Sequence, residues 1–228
     1  MIDRKAAIMA HMVAWYPDEK KSLTVAEALL SGGVSYIEVQ FPFSDPTADG
    51  PVIQQACTQA LEAGFTTEKG FDLVSRIVQQ TTVPIFIMSY AGPVYIYGIE
   101  RFVRKAQQIG VAGLIVPDLM PGADEGLYDA GKKRGLPIVP VVVPSMLDQR
   151  LTLITTAKPD YIYAALRSGI TGMKTDISGV SGFLEKVKES RSTVFAGFGI
   201  QSRAQVEDLM GKVDALVIGS AFVRIVEQ

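Results

Sequence analysis

Three carboxylates cluster in the segment EVQFPFSDPTADGPV, which begins at Glu38. Glu38 closes a strand-like apolar run, and Asp45 and Asp49 follow it in a loop that contains prolines and a glycine. Carboxylates gathered in one site can exchange protons with a substrate or stabilise positive charge that develops on it. The alternative is a buried, hydrogen-bonded glutamate followed by solvated loop charges.

Glu38 lies between the apolar residues Ile37 and Val39, so alternation along a strand turns it towards the mouth of a barrel. Burial disfavours a charged carboxyl group, and a group held there can both donate and accept a proton near neutral pH. A structural glutamate satisfied by backbone groups or tyrosine hydroxyls fits the position equally well.

Asp49 precedes Gly50 and Pro51, near the predicted start of a helix. An acid at this point can simply favour the positive end of the helix dipole. In the functional interpretation, Asp49 faces Glu38 across the mouth of the barrel. Hydrogen bonds from the loop keep the Asp49 carboxylate ionised. Asp45 is expected to shape the turn at residues 44–46 or to face a partner.

Three glycine-bearing elements lie late in the chain: GITG at 169–172, GFG at 197–199 and GS at 219–220. Loops at the ends of late barrel strands often donate backbone N–H groups to a phosphate. Glycine suits such a loop because a side chain would block the phosphate oxygens. We therefore predict a phosphate site here, with ordinary turns as the alternative.

A few other polar or aromatic residues occupy predicted strand ends. Tyr90 and Tyr163 are candidate pocket walls with polar tips. His11 lies on the first predicted strand, where we expect a packed interior residue rather than a base. Trp15 and Tyr16 fit a pocket lining or a barrel rim equally well.

The composition excludes several classes of protein. A net charge of −2 gives no reason to expect nucleic acid or an anionic membrane as partner. With one cysteine and one histidine, neither an intramolecular disulfide nor a Cys/His metal cluster is expected. The start of the chain has no convincing cleavage site, and no apolar run is long enough to span a bilayer. We expect a cytoplasmic protein without a bound metal.

The fold class follows from a recurring pattern of amphipathic segments and short, continuously apolar runs. Such runs are typical of parallel strands that are covered on both faces. The strand-like runs are IMAHMVAWYP, GGVSYIEV, VPIFIMSY, GVAGLIVPD, LPIVPVVVP, KPDYIYAAL, STVFAGFG and VDALVIGS. The clearest predicted helices span residues 19–30, 98–109, 123–134, 147–156, 181–190 and 202–210.

Eight strands that alternate with helices predict an α/β fold, a single (β/α)8 TIM barrel formed by residues 1–228. A doubly wound open sheet is disfavoured because no GxGxxG motif opens a helix after the first strand. We expect a reduced N-terminal helix and a missing or truncated final helix. From these residues alone, we predict a barrel enzyme that acts on a phosphorylated substrate by carboxylate acid/base chemistry.

Several motifs, in order along nearly the whole chain, resemble the family of tryptophan synthase α subunits. They are AWYPD, PFSDPTADGPVIQQA, PIFIMSYAGPVYIYGIERF, LRSGITG, FAGFGI and GSAFV. The resemblance implies retro-aldol cleavage of indole-3-glycerol phosphate to indole and glyceraldehyde 3-phosphate, with no cofactor in this chain. It also implies a β subunit that binds pyridoxal phosphate and receives the indole, in an α2β2 complex.

The same resemblance implies roles for individual residues. Glu38 and Asp49 match the catalytic glutamate and aspartate, and Asp45 and Pro46 fall in the loop that faces the β subunit. The implied substrate-binding positions, including the mobile sixth loop and the phosphate-binding backbone, are Tyr90, Tyr163, Arg167, Thr171, Gly172, Gly199, Gly219 and Ser220.

Four positions depart from the family pattern. Trp15 and Gln40 stand where glycine is usual, His11 where phenylalanine often contacts the indole, and Gly92 where asparagine is common. Two other functions therefore stay open. One is a non-catalytic partner that activates a β subunit. The other is a different phosphate-binding barrel, such as an isomerase or a phosphosugar aldolase. A Schiff-base aldolase is disfavoured, because it would need a lysine at a strand end and Lys174 lies in a loop.

Overall fold

A computed structural model describes residues 7–166, 180–197, 200 and 203–226. Within these ranges, parallel strands form one sheet in the order β5-β4-β3-β2-β1-β9-β8-β7-β6. The strands are β1 (Ile8–Val13), β2 (Tyr36–Gln40), β3 (Ile85–Met88), β4 (Gly113–Ile115), β5 (Ile138–Val139), β6 (Val141–Val142), β7 (Tyr161–Ala165), β8 (Thr193–Gly197) and β9 (Ala215–Ile218).

The two strands at the ends of this order, β5 and β6, are consecutive in the chain and separated only by Pro140. Proline has no backbone N–H to donate, so the strand hydrogen bonding is interrupted at Pro140. The Pro140 carbonyl still accepts a hydrogen bond from Tyr163 N at 2.9 Å. The two short strands therefore act as one barrel strand, and the predicted (β/α)8 barrel is confirmed as a nearly closed barrel.

Helices surround the sheet. They are α1 (Glu19–Ser31), α2 (Pro51–Glu62), α3 (Thr67–Val78), α4 (Ala91–Tyr97), α5 (Ile99–Ile109), α6 (Leu127–Arg134), α7 (Asp148–Thr156), α8 (Ser181–Lys188), α9 (Arg203–Leu209) and α10 (Ser220–Val226). The sequence predicted a missing or truncated final helix, and α10, with 7 residues, is a short one. No described helix reaches the length that crossing a lipid bilayer requires.

Helix α6 begins later than the sequence predicted. Residues 123–126 form a loop in which Asp124 accepts hydrogen bonds from Gly122 N at 3.0 Å and Tyr128 N at 2.8 Å. Gly126 then has a φ of 90°, in the left-handed region that interrupts a right-handed helix. The helix therefore starts only at Leu127.

Aromatic rings fill the lower interior of the barrel. Tyr36 and Tyr161 are the first residues of their strands, and their rings pack with those of Phe86 and Phe195 at centroid distances of 5.0–6.2 Å. This layer closes the interior at the amino ends of the strands. Since Glu38 follows Tyr36 by two residues, it faces the same interior one layer higher.

Candidate active site

Glu38 and His11 are paired across the first two strands. They are Cα partners in the parallel register of β1 and β2, so their side chains leave the sheet on the same face. His11 Nδ1 lies 2.8 Å from Glu38 Oε2, and both residues are buried. The expectation that His11 is a packed interior residue holds for its burial, but the ring also makes direct contact with the candidate acid.

Asp49 is held by side chains that come from two different strands. Its Oδ2 accepts hydrogen bonds from Gln40 Nε2 and from Tyr90 Oη, each at 2.8 Å. Only 4% of Asp49 is exposed. The sequence predicted hydrogen bonds from the loop, and that prediction is wrong, because the donors to the carboxylate stand at the end of β2 and just after β3. Asp49 also does not cap α2, whose N-cap is Gly50.

A cavity of about 620 Å³, including its open mouth, brings these groups together. His11, Glu38 and Asp49 provide its charged end, while Gly219 and Ser220 lie at its rim. The apolar wall contains Ile53, Met88, Ile115, Val141, Ile200 and Val217. A largely apolar cleft with a few convergent polar groups is typical of a small-molecule site.

The electrostatics of the cavity follow from burial and from these contacts. Burial alone lowers the pKa of His11, but the charges of Glu38 and Asp49 and the bond to Glu38 raise it above its ordinary value of 6.5. Burial raises the pKa of Asp49, while His11 and the donors Tyr90 and Gln40 oppose this shift. The site therefore contains titratable groups that hold protons more strongly than they do in water.

The two predicted tyrosines differ in their surroundings. Tyr90 binds Asp49 and also accepts a hydrogen bond from Ala48 N at 3.2 Å. Tyr163 lines the cavity, and burial together with the charge of Glu38 raises its pKa well above the ordinary value. A Cβ atom at Gly197 would overlap Tyr163 Oη. In the structure, Gly197 thus makes room for this tyrosine.

Gly219 and Ser220 are the predicted phosphate residues that fall inside the described chain. Ser220 opens α10, and the Gly219 carbonyl accepts hydrogen bonds from Phe222 N at 2.9 Å and Val223 N at 3.2 Å. Gly219 lies against the His11 ring. The other predicted loop residues are outside the described residues: Arg167, Thr171, Gly172 and Gly199.

The loop between β2 and α2 is ordered by short local bonds. Ser44 Oγ donates to Asp45 Oδ2 at 2.5 Å, and Thr47 N donates to the Asp45 carbonyl at 2.9 Å. Asp49 N donates to the Pro46 carbonyl at 3.0 Å. Asp45 is exposed and Pro46 is buried. Asp45 therefore shapes this turn while its carboxylate stays accessible to a partner.

The four departures from the family pattern have identifiable contacts. His11 and Gln40 bind the two candidate catalytic carboxylates. Trp15 has a φ of 65°, a left-handed conformation that costs a residue with a Cβ roughly 1–2 kcal/mol and favours glycine. A Cβ at Gly92 would lie 3.0 Å from the Phe43 ring. The absence of a side chain at Gly92 thus leaves room for the Phe43 ring.

Sequence reasoning missed Gln40 as a functional residue. A signal was present, because Gln40 follows Glu38 by two residues and alternation puts both on the interior face of β2. Asp118, which follows β4, accepts hydrogen bonds from Ala91 N at 2.9 and 3.1 Å and so binds the first backbone N–H of α4. Within the described ranges, no group of three His, Cys, Asp or Glu residues could hold a metal ion.

Comparisons with known proteins identify the family of this chain. Residues 1–228 match the family model described as tryptophan synthase alpha chain. The tryptophan synthase alpha chain of Helicobacter hepaticus is 38% identical, covering 98% of this chain and 87% of the relative. That of Syntrophotalea carbinolica is 35% identical, covering 97% and 88%.

Solved structures give the same result. A chain of Mycobacterium tuberculosis tryptophan synthase superposes with a TM-score of 0.89 at 31% identity, covering 96% of this chain and 85% of that one. A chain from the tryptophan synthase α2β2 complex of Pyrococcus furiosus has a TM-score of 0.87 at 30% identity, covering 97% and 90%.

Proposed function

Because the chain belongs to the tryptophan synthase alpha chain family, we propose that Glu38 and Asp49 carry out the lyase reaction of that family. The reaction cleaves indole-3-glycerol phosphate to indole and glyceraldehyde 3-phosphate. One observation carries the proposal. The two carboxylates line one cavity but have different partners, a histidine for Glu38 and two neutral donors for Asp49.

Glu38 moves the protons in this proposal. Its carboxyl group donates a proton to C3 of the indole ring, which turns the ring into a leaving group. As the carbon–carbon bond breaks, its electron pair returns to the ring and the adjacent hydroxyl becomes an aldehyde. The Glu38 carboxylate accepts the proton of that hydroxyl, so the residue returns to its initial state.

Asp49 stabilises the positive charge that protonation creates on the ring. Gln40 and Tyr90 both donate to Oδ2, which favours the ionised carboxylate and fixes its orientation. We assign Oδ1 to the N–H of the indole ring. Since these donors are already in place, the site needs little reorganisation when positive charge develops on the indole ring.

The phosphate group is assigned to the rim that contains Gly219 and Ser220, together with Gly172 and Gly199. Support comes from the motif positions and from the place of Gly219 and Ser220 at the cavity. Tyr163 lines the substrate pocket. The loop that contains Arg167 and Thr171 is assigned to close the site and exclude water.

A β subunit is the proposed partner, in an α2β2 complex with pyridoxal phosphate on the β subunit. The family is consistent with an α chain that has no cofactor of its own. The exposed Asp45 carboxylate, next to Pro46, is the proposed contact. Replacing Asp45 by alanine should weaken co-purification of the two subunits and leave the fold intact, as measured by circular dichroism.

Release of indole tests the catalytic assignment. The purified chain, mixed with its β subunit, should release indole from indole-3-glycerol phosphate, and Glu38→Gln should abolish the release. Glu27→Gln, an identical change at an exposed position of α1, is the matched control and should retain activity. Normal turnover by Glu38→Gln would rule out the mechanism. Activation of the β subunit without cleavage would instead indicate a non-catalytic partner.

We also propose that residues 1–228 act as one barrel domain in the cytoplasm. The packing of strands from both ends of the chain supports the single domain, since β1 pairs with β9. Limited proteolysis should leave one resistant fragment, and cell fractionation should place the protein in the cytoplasmic fraction.

A further inference from the structure

His11 is the only histidine of the chain, and its ring bridges two parts of the site. Nδ1 is 2.8 Å from Glu38 Oε2, a pairing fixed by the register of β1 and β2. The ring also lines the cavity, next to Gly219. The proposed function does not yet use this histidine.

The second ring nitrogen makes no hydrogen bond within the described chain, although His11 Nε2 is buried. The Gln40 amide lies close enough to the ring to help raise the pKa of His11. A buried polar atom without a hydrogen bond destabilises the fold. Because the ring lines the substrate cavity, a bound ligand can provide the missing partner.

We propose that His11 and Glu38 hold one transferable proton between them, and that His11 Nε2–H binds the substrate oxygen that becomes the aldehyde. This inference rests on the proposed lyase function. It makes His11 a substrate-contacting residue as well as the residue that positions Glu38. Through Nδ1 it holds Oε2, the oxygen that exchanges the shared proton with the substrate.

The proton balance closes over one cycle. The pair starts with one proton shared by His11 Nδ1 and Glu38 Oε2, and Glu38 passes a proton to C3 of the indole ring. The pair is then a neutral imidazole, with its proton on Nε2, beside a carboxylate. When the carbon–carbon bond breaks, the substrate hydroxyl returns a proton to the pair. The Nε2–H bond stabilises the negative charge that develops on that oxygen.

The other titratable groups around His11 favour a protonated ring. Glu38 faces it from β2, and Asp49 faces it from the loop before α2. Tyr163 on β7 and Tyr90 after β3 border the same carboxylates, and burial raises the pKa of both phenols, so they stay neutral. In the described chain, the two carboxylates are therefore the charged groups that act on this imidazole.

Nuclear magnetic resonance can follow the pair directly, because a single histidine gives a single set of imidazole signals. In the full wild-type chain, the ring should titrate above pH 6.5. In Glu38→Gln, the midpoint should fall by roughly one unit or more, since the neighbouring charge is lost. A wild-type midpoint at or below 6.5, or no change in Glu38→Gln, would overturn the shared proton.

A second titration tests the contact of Nε2. Glycerol 3-phosphate, a stable relative of the aldehyde product, is added at saturation, as judged by the shifts of other signals. The His11 midpoint should rise further, and the ¹⁵N signal of Nε2 should move, because Nε2–H gains an acceptor. An imidazole that stays unchanged under these conditions would overturn the substrate contact.

Kinetics separate this role from a structural one. His11→Phe keeps a ring but no nitrogen, and His11→Asn keeps a donor in place of Nδ1 that does not titrate. His11→Phe should lower kcat about a hundredfold. His11→Asn should recover part of that loss. In both variants, the fall of kcat/KM at high pH should move to lower pH. Unchanged pH profiles in both would contradict the inference.

The experiments also distinguish this inference from the proposed lyase function. If the wild-type chain with its β subunit releases no indole, the lyase function fails, whatever His11 does. If indole is released and Glu38→Gln is inactive, but His11 titrates at or below pH 6.5, only the shared proton fails.

Discussion

Gln40 Nε2 donates a hydrogen bond of 2.8 Å to Asp49 Oδ2, and both residues are buried. The amide reaches the carboxylate because Gln40 ends β2 on the interior face, above Glu38. The bond connects the strand of the proposed acid to the loop of the proposed charge-stabilising residue. Gln40 thus couples the positions of the two carboxylates.

Replacing Gln40 by leucine removes this donor at similar volume. A hydrogen bond to a charged group contributes about 1.5–3 kcal/mol, so kcat should fall roughly tenfold or more. Steady-state release of indole measures the effect. Gln54→Leu is the matched control, because Gln54 Nε2 binds the Asp49 carbonyl rather than its carboxylate. An equal loss in both variants would indicate that the loop, rather than the charge, was disturbed.

Tyr90→Phe removes the second donor to Asp49 Oδ2 and should also lower kcat about tenfold. Since Gln40 and Tyr90 donate to the same oxygen, the double variant should deviate from additivity by about 0.5 kcal/mol or more. Tyr97→Phe provides the control, because the Tyr97 hydroxyl binds Glu68 at an exposed site. Strict additivity would contradict a shared role at Asp49.

Gly197→Ala should destabilise the fold and raise KM. The new Cβ would overlap Tyr163 Oη, and overpacking of this kind costs about 1–3 kcal/mol. Gly182→Ala should have the opposite sign, because Gly182 lies in α8 with open space around its Cβ position. Urea denaturation measures both changes. A neutral Gly197→Ala would show that Tyr163 can move aside at little cost.

The contribution of His11 to stability should decrease as pH rises. Its folded-state pKa is raised above 6.5, so the folded chain binds the proton more strongly than the unfolded chain does. The resulting stabilisation is complete below pH 6.5 and is lost as pH rises through the folded-state pKa.

Thermal unfolding of the wild type and His11→Phe, compared between about pH 5 and pH 9, checks this sign. The wild-type advantage in Tm should shrink with increasing pH. The comparison is repeated in an Asp49→Asn background, because the charge of His11 also lowers the pKa of Asp49. An advantage that grows with pH would contradict the pairing of His11 with Glu38.

The sequence alone determined the type and order of the barrel elements and the direction of Glu38. Continuous apolar runs predict covered parallel strands, and period-two alternation turns Glu38 away from Ile37 and Val39. These are local properties of the chain, and short windows of sequence contain them. Helix ends were predicted less well, because a loop such as that around Asp124 is set by hydrogen bonds to its side chain.

Only the tertiary structure decided which groups surround the two carboxylates. His11 and Glu38 are 27 positions apart, and Tyr90 and Asp49 are 41 apart. Neighbouring strands of a parallel barrel are joined through helices, so no short spacing in the sequence fixes their register. That register makes His11 a partner of Glu38 and gives Asp49 its donors, because it decides which side chains meet inside the barrel.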